Sequence, residues 1–251
     1  MCGRYASARD ARDLASAFGV DDEAVEPAGP DAVDEPDEPL PPSWNVAPTD
    51  PVHAVLQRGE RRLLKVLRWG LVLSWAKDAK GAARLINARQ ETVTSKPAFR
   101  AAYARRRCLL PADGYYEWQV VDGRKQPWYL TSRDGGPLAM AGLYEVWSPR
   151  RDAGPAERLW TCTVITTEAA DDTGQIHDRT PLLVPRDDWA RWLDPELEDP
   201  GEHLLVPAVS GALDAWPVGA AVGNVRNDGP ELVQPVPLQG PGPVQTELGQ
   251  V

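Results

Sequence analysis

Cys2 is the residue with the most distinctive chemistry available to it. Once Met1 is removed, it presents a free α-amine and a thiol on adjacent carbons. Their reference pKa values are about 7.7–8.0 and about 8.5, so both keep a usable unprotonated fraction near neutral pH. Such a 1,2-aminothiol attacks an aldehyde through nitrogen to give an imine, and the thiol then closes onto the imine carbon as a five-membered thiazolidine. Closure is intramolecular, with effective molarities that reach roughly 10⁵ M in well-oriented cases, so a normally reversible imine becomes trapped. Taken by itself, a cysteine at position 2 reads more simply as an accident on a frayed terminus.

Three further groupings could move protons or hold a substrate. In Gly114-Tyr115-Tyr116-Glu117-Trp118, strand alternation puts Tyr116 and Trp118 on one face and Tyr115, Glu117 and Gln119 on the other. A carboxylate among aromatics is a candidate for a raised pKa and for general acid–base work. The plainer reading of Glu117 is a surface residue on a half-exposed strand. In Ile176-His177-Asp178-Arg179-Thr180-Pro181, a histidine beside an acid and a guanidinium could shuttle protons, or could simply stabilise a turn. In Ile86-Asn87-Ala88-Arg89-Gln90-Glu91-Thr92, the amide of Asn87 and the guanidinium of Arg89 share one face of an extended segment. Arginine grips phosphate, and the amide can orient a reactive carbonyl. Ten Trp beside two Phe is an unusual balance; Trp69, Trp75 and Trp118 could serve as platforms for unstacked bases, although most Trp residues belong to cores.

These residues need a scaffold of strands. Ser7 and Asp10 resemble a capping signal, and Ala11, Leu14, Ala15 and Phe18 recur at helical spacing, predicting a helix over about 8–18. Val52–Gln57 and Arg61–Trp69 read as strands around a turn at Gly59, and Gly114–Val121 and Gln126–Thr131 as a hairpin around Asp122-Gly123. Pro97, Phe99 and Tyr103 predict a helix to about Arg107. Leu138–Trp147 and Leu159–Thr167 are further strands, and Asp187–Leu193 a short helix. Many strands with a few interspersed helices and no βαβ alternation imply an α+β fold in a single domain of residues 1–237.

Residues 21–42 carry nine acidic side chains and no Lys or Arg, and with their prolines read as a flexible acidic insertion. Residues 238–251 read as a disordered tail. The net charge of −10 argues against a nucleic-acid partner at first sight, but the body outside that insertion is close to neutral and could hold a basic groove. No apolar run reaches membrane-spanning length and no signal peptide opens the chain, so a cytoplasmic protein is expected. Cys2, Cys108 and Cys162 form no close pair, and His53, His177 and His203 lie far apart, so neither a disulfide framework nor a metal or other cofactor is expected.

Together and in this order, the segments resemble the SRAP family (SOS response-associated peptidases, also called abasic-site processing proteins). The resemblance is carried by Met1–Tyr5, Trp44–Pro48, Trp69–Leu71, Ile86–Thr92, Pro111–Trp118, Ile165–Thr167, Ile176–Pro181 and Val225–Gly229. It implies twisted, mainly antiparallel β-sheets with peripheral helices and a channel for single-stranded DNA ending at Cys2. It further implies Cys2 as nucleophile, Asn87 at the ring-opened sugar, and Glu117 and His177 as proton carriers. Arg4, Arg89, Thr167 and Arg179 match positions that hold DNA phosphates or the site itself, and Trp75 matches an aromatic near the single-strand/duplex junction. The implied protein is a monomer at the nucleoid or replication fork, forming a thiazolidine crosslink to abasic sites with associated AP-lyase and autoproteolytic activity. The acidic insertion and net charge depart from the family pattern. Two other classes stay open: an N-terminal-nucleophile peptidase or amidohydrolase, and a noncatalytic single-strand-binding module.

Overall fold

A computed structural model describes residues 3–20, 40–149, 158–169, 175–205 and 211–238. Cys2, most of the acidic insertion and the tail from 239 lie outside the described residues.

Two sheets carry the architecture. The first joins β1 (Tyr5–Ser7), β2 (Ser43–Val46), β7 (Gly114–Val121), β8 (Arg124–Ser132) and β12 (Leu213–Pro217) in the order β12-β8-β7-β1-β2, all antiparallel. The second has seven strands: β3 (Pro51–Arg58), β4 (Arg61–Trp69), β5 (Asn87–Arg89), β6 (Arg107–Ala112), β9 (Leu138–Trp147), β10 (Leu159–Glu168) and β11 (Arg179–Pro181). Pairing of β10 with β9 closes β10, β4, β3, β6 and β9 into a barrel, with β5 and β11 continuing along β10. The α+β, mainly antiparallel reading holds, with one exception along β10. There β4 and then β5 run parallel to it, Cys162 opposite Trp69 and Val164 opposite Asn87.

Alternation along the strands sorts side chains between two cores. Val52, Ala54, Leu56, Leu67, Trp69, Cys108, Leu110, Met140, Cys162 and Val164 form one core together with Tyr5 and Tyr115 from the first sheet. Val55, Leu109, Ala141, Leu143 and Ile165 point the other way, into a layer closed by the helices. Those helices are α1 (Ala11–Phe18), α2 (Gln90–Val93), α3 (Arg100–Arg105) and α4 (Trp189–Leu193).

Two boundaries differ from expectation. Asp10, not Ser7, caps α1, accepting from the backbone N–H groups of Arg12 at 2.8 Å and Asp13 at 2.9 Å, because Ser7 is already committed to β1. The helix after Pro97 starts only at Arg100 and stops at Arg105, since Arg107 opens β6. The Asp122-Gly123 hairpin is as expected: both residues have positive φ, 49° and 75°, as a two-residue turn matched to strand twist requires.

Candidate active site

Glu117 lies on β7, paired with Trp128 of β8, and is 3% exposed. Its neighbours Tyr116 and Trp118 pack on the opposite face with Tyr129 and Trp216, as the alternation required. Burial raises the Glu117 carboxyl to about 7, with the Asp178 carboxylate adding to the rise and the backbone N–H of Trp118 opposing it. The surface reading of this residue is therefore wrong. Near neutral pH it exists in both protonation states, the condition for giving and taking a proton in one cycle.

His177 faces it, with Nε2 4.0 Å from Glu117 Oε2. Its Nδ1 accepts from the Arg179 backbone N–H at 3.0 Å and lies 2.8 Å from Asp178 Oδ1. When the ring is neutral and Nδ1 accepts, the proton sits on Nε2, toward Glu117; when it is protonated, Nδ1–H has Asp178 as acceptor. Each state thus has a partner. Burial holds the His177 pKa below its usual value, with Asp178 pulling the other way. Gln119, on the same face of β7 as Glu117, donates to the Gln175 carbonyl at 2.8 Å and accepts from Trp128 Nε1 at 3.1 Å. It ties the turn carrying His177 to the strand carrying Glu117. The alternation already placed Gln119 beside Glu117, so this role was within reach of the sequence.

Strand β1 runs beside β7, which carries Glu117. Tyr5 pairs with Tyr115, Ala6 with Gly114, and the Arg4 carbonyl accepts from Tyr116 N at 3.0 Å. One further step of that register brings Gly3 to the level of Glu117. Asp113 anchors the other end of β1, accepting from Ala8 N at 2.5 Å and from Arg9 Nε at 2.7 Å.

Arg4 is buried. It donates to Asn45 Oδ1 and, at 3.2 Å, to the Gly223 carbonyl, and burial lowers its pKa. Asn45 in turn donates to the carbonyls of Val222 (3.3 Å), Asn224 (3.1 Å) and Asn227 (2.7 Å). The Trp44 N–H reaches Asp228 at 2.6 Å. The Trp44–Pro48 and Val225–Gly229 segments are thus one structural unit behind β1. Their spacing, more than 170 residues, hid this.

Asn87 and Arg89 flank the buried Ala88 on β5, so both leave the core face, Asn87 half-buried and Arg89 exposed. Next to them, across β10, Arg179 on β11 holds Glu91 through its two terminal guanidinium nitrogens and donates to the Thr166 carbonyl at 2.7 Å. The hydrogen bond from Arg179 holds the Glu91 carboxyl below the usual carboxylate range. Thr167 is buried and bonds to Gln90 at 3.2 Å. Thr180, its cross-strand partner, meets the Tyr115 hydroxyl at 2.8 Å. Arg89, Thr167 and Arg179 therefore sit on three neighbouring strands. Trp75 stands in the loop between β4 and β5 and is 57% exposed.

A mainly antiparallel barrel with a second sheet laid against it, and a buried carboxylate facing a half-buried histidine beside β1, define a class of protein that sequence comparison also recognises. The model of the SOS response associated peptidase (SRAP) family matches residues 1–225, and the chain belongs to that family. It is 36% identical over 236 residues to the abasic site processing protein YoaM of Bacillus subtilis, covering 93% of this chain and 97% of that one. Identity to the abasic site processing protein YedK of Escherichia coli is 33%, over 94% of this chain and all of that one. The abasic site processing protein HMCES of Gallus gallus is 31% identical, over 98% and 81% of the two chains. A crystal structure of a protein from Bacteroides thetaiotaomicron superposes with a TM-score of 0.78 over 94% of this chain and all of that one, at 24% identity, and shares the fold.

Proposed function

We propose that this protein processes abasic sites in single-stranded DNA by bonding Cys2, exposed by loss of Met1, to the ring-opened aldehyde of the lesion. The observation that carries the reading is Glu117. A buried carboxyl raised to about 7, 4.0 Å from His177 and level with Gly3 in the register of β1, is what a two-step condensation needs. The α-amine adds to the aldehyde carbon, and the carbinolamine loses water as an acid delivers a proton to the departing oxygen. The thiol then adds to the imine carbon while its proton passes to the ring nitrogen. Glu117 is the acid and base of these transfers, and His177 exchanges protons with it. Asn87 holds the opened sugar, while Arg89, Thr167, Arg179 and Arg4 hold phosphates or the frame around them. Trp75 stacks where single strand meets duplex. The printed names of the relatives support the substrate.

The same imine allows β-elimination at the lesion, an AP-lyase activity, when the thiol does not close the ring. Amide hydrolysis is a further activity open to Cys2: its thiol alone would serve in removal of Met1, while its nitrogen is still an amide, and the freed α-amine could act as base for the thiol afterwards. We place the protein as a monomer acting in the cytoplasm at the nucleoid or replication fork. Among the described residues, no helix is long and apolar enough to cross a membrane.

Intact-mass measurement before and after exposure to a single-stranded oligonucleotide with one abasic site tests the reading. The expected result is a protein lacking Met1 that gains one oligonucleotide minus water, with no adduct for Cys2→Ala. An equal adduct with Cys2→Ala overturns it. Peptide hydrolysis without DNA, at a rate exceeding adduct formation, would favour the peptidase reading.

A further inference from the structure

Three residues on one face of β7 meet the 175–181 segment at three successive points. The Tyr115 hydroxyl lies 2.8 Å from Thr180 Oγ1, Glu117 Oε2 lies 4.0 Å from His177 Nε2, and Gln119 Nε2 donates to the Gln175 carbonyl at 2.8 Å. Residue numbers rise along β7 as they fall along the facing segment, so the contacts form an antiparallel ladder of three rungs. Successive same-face residues of a strand stand about 6.6 Å apart, which spaces the rungs on the β7 side. The outer rungs are hydrogen bonds. The middle rung, between carboxyl and imidazole, is longer than the roughly 2.7–3.2 Å of a hydrogen bond.

The two outer rungs differ in setting. Gln119–Gln175 is exposed, where water competes for both groups. Tyr115 is 0% exposed and Thr180 7%, and their hydroxyls meet inside the protein. Tyr115 belongs to the first sheet, paired with Tyr5 on β1 and Leu130 on β8, while Thr180 belongs to the second, paired with Thr167 on β10. Their bond therefore joins the two sheets beside the candidate site. Thr180 also follows Arg179, whose backbone N–H donates to His177 Nδ1 at 3.0 Å. A short chain of contacts thus runs from Tyr115 to the ring that faces Glu117.

The plain use of the Tyr115 hydroxyl is to be a buried polar group with a partner, and any partner would serve for that. Ile176, packed in the same core as Tyr115, also holds the segment down. Apolar packing is non-directional, however, whereas a hydrogen bond fixes both a distance and an angle. We propose that Tyr115 and Thr180 are positioning residues whose hydrogen bond keeps Glu117 and His177 apart, an inference that rests on the proton-transfer reading of that pair. A carboxylate and an imidazolium attract each other, and once closed they hold the proton between themselves. Kept at 4.0 Å, both can serve a reacting oxygen or nitrogen, which off the line between them stands about 2.8 Å from each.

The test uses the full chain with Tyr115→Phe, Thr180→Val, both together, and Thr180→Ser, each with its thermal midpoint measured. His177 is titrated through its imidazole NMR signals without DNA. Adduct formation with an abasic single-stranded oligonucleotide is followed per folded molecule across the pH range. Asp178 and Arg179, charges beside the ring, are the same in every variant. Tyr115→Phe is expected to raise the His177 pKa, because the closing carboxylate favours the imidazolium, and to slow the adduct about tenfold with a displaced pH profile. Thr180→Val should do the same and the double variant no more than either, while Thr180→Ser, which keeps its Oγ, should behave as the parent. A hydroxyl needed only for the fold would lower the midpoint and leave the titration and the pH profile in place. That result in either folded single variant overturns the proposal, and so do single effects that simply add. If the parent forms no Cys2-dependent adduct, the function proposed above fails instead, and the histidine titration still decides the spacing.

Discussion

Two buried charges show how one fold treats structure and chemistry differently. Arg107, at the start of β6, is 3% exposed, and its guanidinium donates only to carbonyls: Trp192 at 2.5 Å, Tyr103 at 2.6 Å, Ala104 at 3.1 Å, Leu197 at 2.7 Å and Asp194. These are largely the free carbonyls where α3 and α4 end, groups that need donors and that carry partial negative charge. The rings of Tyr103 and Trp192 lie 5.9 and 5.8 Å from the guanidinium carbon. Burial lowers the Arg107 pKa, but a guanidinium starts high enough to stay charged at neutral pH. Glu117 is equally hidden, yet its environment leaves the ionised form so little favoured that its pKa climbs to about 7. A charge whose partners favour it throughout is a staple. A charge that burial holds near the point of neutrality is suited to carry protons, the role proposed for Glu117.

Breaking the staple should have the largest effect on stability. Arg107→Ala leaves several carbonyls without donors and is expected to cost about 3–5 kcal/mol, seen as a drop in thermal midpoint. The fraction that stays folded should form adduct at the parent rate. A fall in rate per folded molecule would mean that Arg107 serves the chemistry as well as the fold.

Glu117→Gln should do the reverse. Adduct formation is expected to slow by about 10²–10⁴-fold. A carboxyl whose folded pKa is raised destabilises the fold once ionised, and that penalty is small below about 4.5, grows as pH rises, and is complete above about 7. Glutamine carries no such penalty, so the variant should gain stability over the parent between pH 5 and pH 8. A pH-independent difference would mean that the carboxylate is better supported than its burial indicates.

Asn45→Ala lies between the two cases. Its amide is spent on three carbonyls and on Arg4, so a loss of about 1–3 kcal/mol is expected. Because that network stands behind β1, the adduct rate should fall as well, at unchanged affinity for lesion-free DNA. Stability loss with an unaltered rate would assign Asn45 to the staple class.

The smallest effect is expected from Asp178→Asn. The exposed Asp178 carboxylate raises the pKa of both His177 and Glu117, so its removal should lower both, measurable for His177 by titrating its imidazole NMR signals. A rise in either would show that another group sets the local field.

Much of this contrast is visible in one dimension only on its chemical side. The alternation in Tyr115-Tyr116-Glu117-Trp118 places Glu117 away from its aromatic neighbours, and the Asp122-Gly123 turn sets the register that pairs it with Trp128. The long strands β9 and β10 are equally plain, because ten residues of apolar and β-branched character leave few alternatives. By contrast β1, β5 and β11, three residues each, are too short for any period to register, although they carry or adjoin Arg4, Asn87, Arg89 and Arg179. Arg107 sits in the run Arg105-Arg106-Arg107, where nothing local distinguishes the buried cation from its more exposed neighbours.

What the sequence determined by itself is the family and the reactivity classes of the candidate groups. Cys2, Asn87, Glu117 and His177 are legible as chemistry because amine, thiol, amide, carboxyl and imidazole keep their reactivity classes wherever the chain puts them. What only the tertiary structure decided is their state. The 3% exposure of Glu117, its 4.0 Å approach to His177, the Gln119 tether between them and the approach of β1 all depend on contacts across tens of residues. A pKa is a property of surroundings, and surroundings are assembled from strands distant in the chain.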